Sequence, residues 1–360
     1  MPARNFPIVK LAELVAAAEA DVFAILYLKE ELRTKDGKPY HRVGFRDGTR
    51  EIAFPIWGDS DWGDDCRDAW NVGTYYKLRC ALKETSYGPQ LDIHRIREVV
   101  DADAADGFDV DAFRPQSKFD AAEMFAELRG LVDEHIGDER LRELVALLLD
   151  RHRAKLLTLP AATRNHHSFS GGFLEHVLSA TRTAIFLAEK YVAYYDDLQP
   201  PLDRDLVTAG IVLHDIGKLR ELEWQPEGPA YTAAGSLIGH VLQGRDMVRE
   251  AAAELADAGT PIEPEKLLRL EHIIVAHQRL PEWGAPKPPM TLEALLVHYA
   301  DDIDAKVNMV VTALKEDKAP GHTTSKKNVL MQQFYRGPGG KDLPRSHGVA
   351  EKKGGDDGKR

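Results

Sequence analysis

One apolar run ends in an imidazole and an acid: AGIVLHDIG, residues 209–217. No other stretch constrains the fold of this chain as much. His214 and Asp215 stand side by side where a helical pattern gives out onto Gly217 and Lys218. Imidazole suits transition metals and carboxylate suits harder cations, so the pair can hold one divalent ion or share two. A dipeptide recurs by chance, and four further features argue against chance here. GGFLEH at 171–176, GH at 239–240, AHQ at 276–278 and HYADDIDAK at 298–306 each put a His or Asp on or beside a helix-like segment. A chain that uses all of them must bring separate helices to one point inside a bundle, with the ligands projecting inward.

The hydrophobic period supports such a bundle. From Asp120 the apolar residues recur at i, i+3, i+4 and i+7, as in FDAAEMFAELRGLVDEHI and DERLRELVALLLDRHRAKLLTL. Helical patterns follow at 172–195, 203–217, 236–257, 264–276 and 290–314, and everything from 120 to about 314 reads as helical. The candidate metal ligands are His176, His214, Asp215, His240, His277 and Asp301. Asp301 and Asp302 cannot both face inward, and Asp301 continues the apolar stripe through Leu295 and Leu296. Asp304, one turn on, is placed to support a ligand or to pair on the helix surface. His298 is placed to support a ligand, and His272 lies on a different helical face from His277 and is set aside. Hydrolysis of a phosphodiester also needs cations and proton carriers. His166 and His167, in the polar loop NHHSFSGG, are candidates to protonate a leaving group or touch substrate. Lys218 is a candidate phosphate contact, and Lys306 a weaker one.

Residues 20–100 read differently. About five short β-rich runs, punctuated by KDGKPY, a D-G-T hairpin signal and Tyr-Gly-Pro, suit a small closed barrel. An OB-fold fits the strand count, and an SH3-like barrel is the alternative. Single-strand binders pair exposed rings with basic side chains. The rings available are Tyr40, Phe45, Phe54, Trp57, Tyr75, Tyr76 and Tyr87, with Lys35, Lys38, Arg42, Arg46 and Lys77 between them. Strand alternation sends about half of these rings inward, Phe54 among them. Trp57, after a strand and a proline, is expected outside. The nucleic-acid contacts expected are therefore Trp57, Tyr40, Phe45, Lys38, Arg42 and Lys77.

The fold class that follows is multidomain α+β. It has an OB-fold-like barrel at 1–100, a linker at 101–119 and a helical bundle at 120–316. A C-terminal extension at 317–360 is expected to be mostly disordered, since GPGGKDLPRSHGVAEKKGGDDGKR is poor in apolar residues. The net charge of −11 is unevenly spread. Residues 101–314 hold 36 acidic against 21 basic side chains, so the deficit falls where the ligands lie. That disfavours binding through a broad basic surface, but bound cations can reverse such a field locally. Cys66 and Cys80 make neither a disulfide framework nor a thiolate metal site and suit a reducing compartment. No apolar run is long enough for a membrane span, and MPARNFPIVK lacks an apolar leader segment. The expected location is cytoplasmic.

The strings NHHSFSGGFLEHV, LHDIGKLREL, YTAAGSLIGH, EWGAPKPPM and LLVHYADDIDAKVNM resemble the HD-domain metal-dependent phosphohydrolases. More closely, they resemble the YhaM-type 3′→5′ exoribonucleases, which join an N-terminal OB-fold to an HD domain. QFYR at 333–336 is also similar to that family's C-terminal end. The likeness is dense from about 120 to 336 and weaker in the barrel. It implies removal of nucleotides from the 3′ end of single-stranded RNA, and of single-stranded DNA, with Mn2+ or a similar divalent ion. The six candidate ligands fall on the family's ligand positions. One departure stands out: where the family has two adjacent histidines, this chain has His277-Gln278, and an amide is a poor ligand beside imidazole. The resemblance therefore leaves open whether one metal or two are bound, and it does not fix whether the chain forms a homo-oligomer. The basic C-terminal extension would add affinity that falls with salt.

Two other functions compete. One is an HD-type hydrolase of nucleotides or cyclic dinucleotides, with the barrel regulatory and turnover on monomers exceeding that on oligomers. The other is a nucleic-acid-binding protein without catalysis, which Gln278 alone favours.

Overall fold

Alternating side chains build the N-terminal barrel. In the computed structural model, which describes residues 6–16, 18–34, 36–85, 88–163, 167–225 and 228–338, five strands and one short helix follow one another. They are β1 (Ala20–Arg33), β2 (Pro39–Arg46), β3 (Glu51–Trp57), α1 (Gly63–Asp68), β4 (Tyr75–Thr85) and β5 (Gly88–Glu98). All pairings are antiparallel, in the order β3-β2-β1-β4-β5, and β3 packs against β5 to close the sheet. A five-stranded closed sheet with β1 central and a helix between β3 and β4 is the OB topology. A bulge at Leu26–Leu28 bends β1, so that its first half pairs with β4 and its second half with β2. Val22, Ala24, Leu26, Phe45, Ile52, Phe54, Leu78 and Ile93 fill the interior.

The chain after β5 packs against the barrel. Asp101–Asp106 and Val110–Phe113 form two 3-10 helices. Phe108 and Phe113 pack with Phe23 and Tyr75 on the outer face of β1 and β4. This explains why VFAIL in β1 is apolar on both faces, the mark of a strand covered twice. Further on, Ser117 N–H donates to the Ser170 carbonyl and Ser170 N–H to that of Pro115, which pins the linker to the loop ahead of the ligand-bearing helices.

The remainder is helical: α2 (Ala121–His135), α3 (Glu139–Arg151), α4 (Arg153–Leu156), α5 (Gly172–Tyr194), α6 (Arg204–Leu213) and α7 (Lys218–Glu221). After these come a hairpin of β6 (Leu222–Gln225) and β7 (Gly228–Tyr231), then α8 (Ala233–Ile238), α9 (His240–Asp257), α10 (Pro264–Ala276) and α11 (Leu292–Glu316). The hairpin corrects the expectation that everything from 120 to 314 is helical. Its strands are only four residues long, too short for alternation to separate them from loop. Helix α6 is buried along all of Leu206–Leu213, as expected of a helix apolar all round its circumference at the centre of a bundle. Asp203 caps it through Leu206 N–H, so its start is set and its last turn delivers His214 and Asp215 to the interior.

Past α11 the chain stays ordered for longer than its composition suggests. Arg336, nearly buried, pairs with Asp317, and Thr324 N–H donates to the Phe334 carbonyl, folding 317–338 into a closed loop. The rest of the extension expected to be disordered, 339–360, lies outside the described residues. No helix among the described residues is long and apolar enough to cross a membrane. Burial pushes the thiol of Cys66 up to about 11 and that of Cys80 up to about 12, which makes both poor nucleophiles.

Candidate metal centre

Each candidate ligand stands where its helix begins, ends or faces the core. His176 lies early in α5, and His214 and Asp215 follow the last residue of α6. His240 opens α9, His277 follows α10, and Asp301 sits midway along α11. Gly217 makes one of these approaches feasible. A Cβ there would stand 1.9 Å from the His240 carbonyl oxygen and 2.5 Å from the Gly244 nitrogen. Glycine in the HDIGK run therefore lets α9 lie directly against the turn that carries His214 and Asp215.

The six side chains meet. His176 Nε2 lies 3.2 Å from Asp301 Oδ1 and 3.8 Å from Asp215 Oδ2. His214 Nε2 lies 3.4 Å from Asp215 Oδ2 and 3.6 Å from Asp301 Oδ1. Asp215 Oδ1 is 3.3 Å from His240 Nε2 and 3.5 Å from His277 Nε2. His176, His214 and His277 are fully buried and Asp215 nearly so.

Every imidazole is turned the same way. His214 Nδ1 donates to the Ile211 carbonyl and His277 Nδ1 to that of Ile274, each at 2.7 Å. His176 Nδ1 donates to Asp304 at 2.8 Å and His240 Nδ1 to Glu221 at 3.0 Å. Carbonyls and carboxylates only accept, so Nδ1 carries a proton in all four rings. Nε2 is the atom each ring turns to the centre, where its lone pair is available once any second proton has left. His214 Nε2, Asp215 Oδ1 and His240 Nε2 are buried with no hydrogen-bond partner among the described residues. Buried polar atoms are costly unless paired, and these three point at one place. The donor set and its unpaired atoms fit a divalent transition ion.

The charge balance agrees. Burial opposes a charge on His214, but Asp215 and Asp301 outweigh it and push its pKa up to about 10. Burial likewise opposes a charge on His176, and Asp301 and Asp304 overcome it. Two close-set carboxylates thus draw protons onto imidazoles, and a metal ion would displace such protons on binding. His277 goes the other way: burial lowers it, keeping the ring neutral.

Other residues near the centre have defined partners. Lys218 is buried with Nζ 2.5 Å from Asp215 Oδ2, so it is no surface lysine, and its phosphate contact must be shared with that carboxylate. His167 is buried, with its ring centroid 5.7 Å from that of His176 and Nε2 3.1 Å from the Asn308 amide nitrogen. Burial pushes His167 down to about 4, so at neutral pH it carries no spare proton for a leaving group. His166 lies outside the described residues. His298 Nδ1 donates to the His277 carbonyl, and His272 accepts from Met290 N–H away from the centre. Lys306 is exposed and pairs with Asp302 one turn away on α11. Gln278 directs its amide at His277 Nε2, 3.0 Å away, so one of the four ligand nitrogens already has a protein partner.

Glu221 is the residue that the sequence reading passed over. It accepts from both the backbone N–H and Nδ1 of His240, and its only sequence signal is its place one turn after Lys218. Two cavities flank the centre. One of about 550 Å3 is reached past His167 and Asp304. The other, about 290 Å3, is floored by Lys218 and His240.

On the barrel, the expected contacts divide. Tyr40 and Trp57 pair across β2 and β3 with ring centroids 5.1 Å apart, and Trp57 is 44% exposed. Arg42 shares their face and lies 3.8 Å from Glu30, and Lys38 is exposed. Phe45 is not a contact: its side chain points inward against Phe54, Trp70 and Tyr76 and is fully buried. Lys77 is not free either, since Asp103 and Asp106 hold its ammonium. A basic group went unnoticed in the sequence. Arg79 lies opposite Arg95, and Lys77 opposite Arg97, on β4 and β5, lining a cavity of about 500 Å3 beside Trp62.

Comparison with known proteins places a family on the helical half. Residues 173–306 match the HD domain model, so the helices that carry the candidate ligands form an HD domain. A domain of that kind implies a metal-dependent phosphohydrolase. Among solved structures, the chain is similar to the second OB-fold domain of replication protein A from Methanococcus maripaludis, determined by solution NMR. The identity is 20% and the TM-score 0.20, covering 26% of this chain and 94% of that one. A crystal structure of a domain of the same organism's replication protein A matches at 16% identity, with the same coverage and TM-score. The OB assignment itself rests on the strand order described above.

Proposed function

We propose that this protein is a 3′→5′ exoribonuclease that hydrolyses phosphodiester bonds of single-stranded RNA, and of single-stranded DNA, with Mn2+ as its working ion. The observation that carries this reading is the convergence of four imidazole Nε2 atoms and two carboxylates from α5, α6, α9, α10 and α11. His176, His214, Asp215, His240, His277 and Asp301 would hold the ion. When bound, the ion supplies Lewis acidity toward phosphoryl oxygens and a nucleophile at neutral pH.

The chain's own groups do the rest. Asp304 and Glu221 keep His176 and His240 in the tautomer that offers Nε2 inward. Lys218 binds Asp215 Oδ2 with one N–H and has two further N–H groups for a phosphoryl oxygen in the smaller cavity. His167, neutral at pH 7, orients substrate by hydrogen bonding. On the barrel, Trp57 and Tyr40 offer stacking surface, with Lys38 and Arg42 for the backbone. The working division is barrel 1–100 for the strand, 101–119 for connection and 120–316 for hydrolysis.

A time course on 5′-labelled single-stranded RNA tests this. The expected result is a ladder that shortens from the 3′ end with Mn2+ and stops with EDTA. Faster turnover of mononucleotides or cyclic dinucleotides than of oligomers would favour the regulatory-barrel reading. Binding without cleavage would favour the non-catalytic one, to which the Gln278 contact on His277 lends its support.

A further inference from the structure

We infer that the cavity beside His240 is a nucleobase subsite, in which Trp283 and Tyr231 stack on the base of the strand's terminal nucleotide. The inference rests on the strand-hydrolysis reading for its biological meaning, but not for its geometry. Trp283 and Tyr231 both line the 290 Å3 cavity that Lys218 and His240 floor, with Ile238 as a further apolar wall. Both rings are about half exposed, at 50% and 53%. Neither has a ring partner or a side-chain hydrogen bond among the described residues. Large rings left bare in a cavity that opens on a metal centre are available for stacking, and every base has a π-face to offer.

The rings are held by the same backbone that sets the ligands. Tyr231 ends β7, and the next residue, Thr232, donates its N–H to the Glu221 carbonyl and its hydroxyl to the Arg220 carbonyl. Glu221 in turn orients His240. Trp283 closes a 3-10 turn at Pro281–Trp283, six residues after His277, and Gly284 leaves that turn at φ +96°. The positions of the rings relative to the ligands are thus fixed through short stretches of chain.

Size and charge distinguish this cavity from its neighbour. About 290 Å3 lies at the small end of ligand pockets and suits one nucleoside unit rather than several. Its charged walls are one cation, Lys218, and one carboxylate, Glu221, whose Oε1 is held by His240. The larger cavity sets five carboxylates, from Asp120, Glu123, Glu127, Glu175 and Asp304, against Lys118 and Arg182. Arg182 is paired with Glu127, so the balance is acidic and less suited to a phosphate.

The test compares adenosine 5′-monophosphate with ribose 5-phosphate by calorimetry on the full chain, without any turnover. The nucleotide should bind about tenfold more tightly, since stacking a base on an aromatic side chain is of that order. Trp283→Ala should erase the advantage and Trp283→Phe should keep most of it. Equal affinities in the native protein, or an undiminished advantage in Trp283→Ala, would overturn the subsite. The native comparison needs no variant to fold. A second arm uses RNA whose 3′-terminal residue lacks its base. Native protein should lose about tenfold in kcat/KM on it, and Trp283→Ala should lose nothing further. Unchanged native kcat/KM would overturn the subsite while leaving the exonuclease reading intact. RNA that is never shortened, with the nucleotide advantage present, would sink the exonuclease reading and keep the subsite.

Discussion

The candidate metal centre and the Trp57 face of the barrel are built on opposite physical terms. At the centre the charges are dry, close and mutually dependent: Asp215 alone touches Lys218, His214, His240 and His277. On the barrel, Tyr40, Trp57, Lys38 and Arg42 sit at the surface with one loose ion pair, and solvent screens them. Removing a member of the first set leaves others buried without a partner, so effects there should be large and should not add. Removing a member of the second set exposes nothing new, so effects there should be moderate and roughly additive.

The sharpest way to break this contrast is at His214 and Asp215. His214→Ala or Asp215→Asn should reduce Mn2+-dependent RNA hydrolysis to background, while gel-shift affinity for RNA stays close to native. Asn is chosen over Ala because it keeps a hydrogen-bond acceptor beside buried Lys218. A variant that cut RNA at the native rate would remove the centre from the mechanism.

Next in size come the carboxylates that orient the imidazoles. Asp304→Asn and Glu221→Gln should each weaken Mn2+ binding by about 10- to 100-fold, measured by calorimetry, with the fold retained. Unchanged affinity would mean that the Nδ1 contacts do not set the ligand geometry.

On the barrel the expected effects are smaller and of a different kind. Trp57→Ala should weaken single-stranded RNA binding by about tenfold and leave hydrolysis of a small chromogenic phosphodiester unchanged. Phe45→Ala is the informative contrast. Its ring is fully buried, so it should cost about 3–5 kcal/mol of barrel stability in denaturant titrations rather than act through contact with RNA. A stable Phe45→Ala protein with weakened RNA binding would reverse the inward placement of that ring.

The same contrast governs what could be read from the sequence. Helical spacing and residue chemistry brought out the six centre residues, because imidazoles and acids at the ends of apolar helices are rare and need a common explanation. Glu221 was missed because a lone glutamate in a short polar helix carries no such demand; only the fold brings it to His240. On the barrel, alternation says that rings divide between two faces but not which set goes inside. Phe45 turned inward and Tyr40 outward, a choice set by the register of β2 with β3. The carboxylates that occupy Lys77 come from the segment after β5, which in sequence resembled a plain linker.

That segment supplies the smallest expected effect. Asp103 accepts from both Arg97 nitrogens and from Val100 N–H, and Lys77 lies alongside. The Arg97 guanidinium holds the Asp103 carboxyl well below the usual carboxylate range, against the opposing pull of burial. A carboxyl whose pKa is depressed in the folded state contributes stability above its unfolded value of about 4. The contribution is lost as pH falls from there toward the folded value. Thermal unfolding of the barrel followed between pH 6 and pH 2.5 should therefore show a decline that begins below about pH 4.5. Asp103→Asn should be less stable at pH 6 and flatter through that window. Its curve should draw closer to the native one toward the acid end, because there the unfolded carboxyl takes up a proton and the advantage of the native ion pair shrinks. Parallel curves for the two proteins would mean that the segment is held by Phe108 and Phe113 alone, and that the barrel owes nothing to the ion pair.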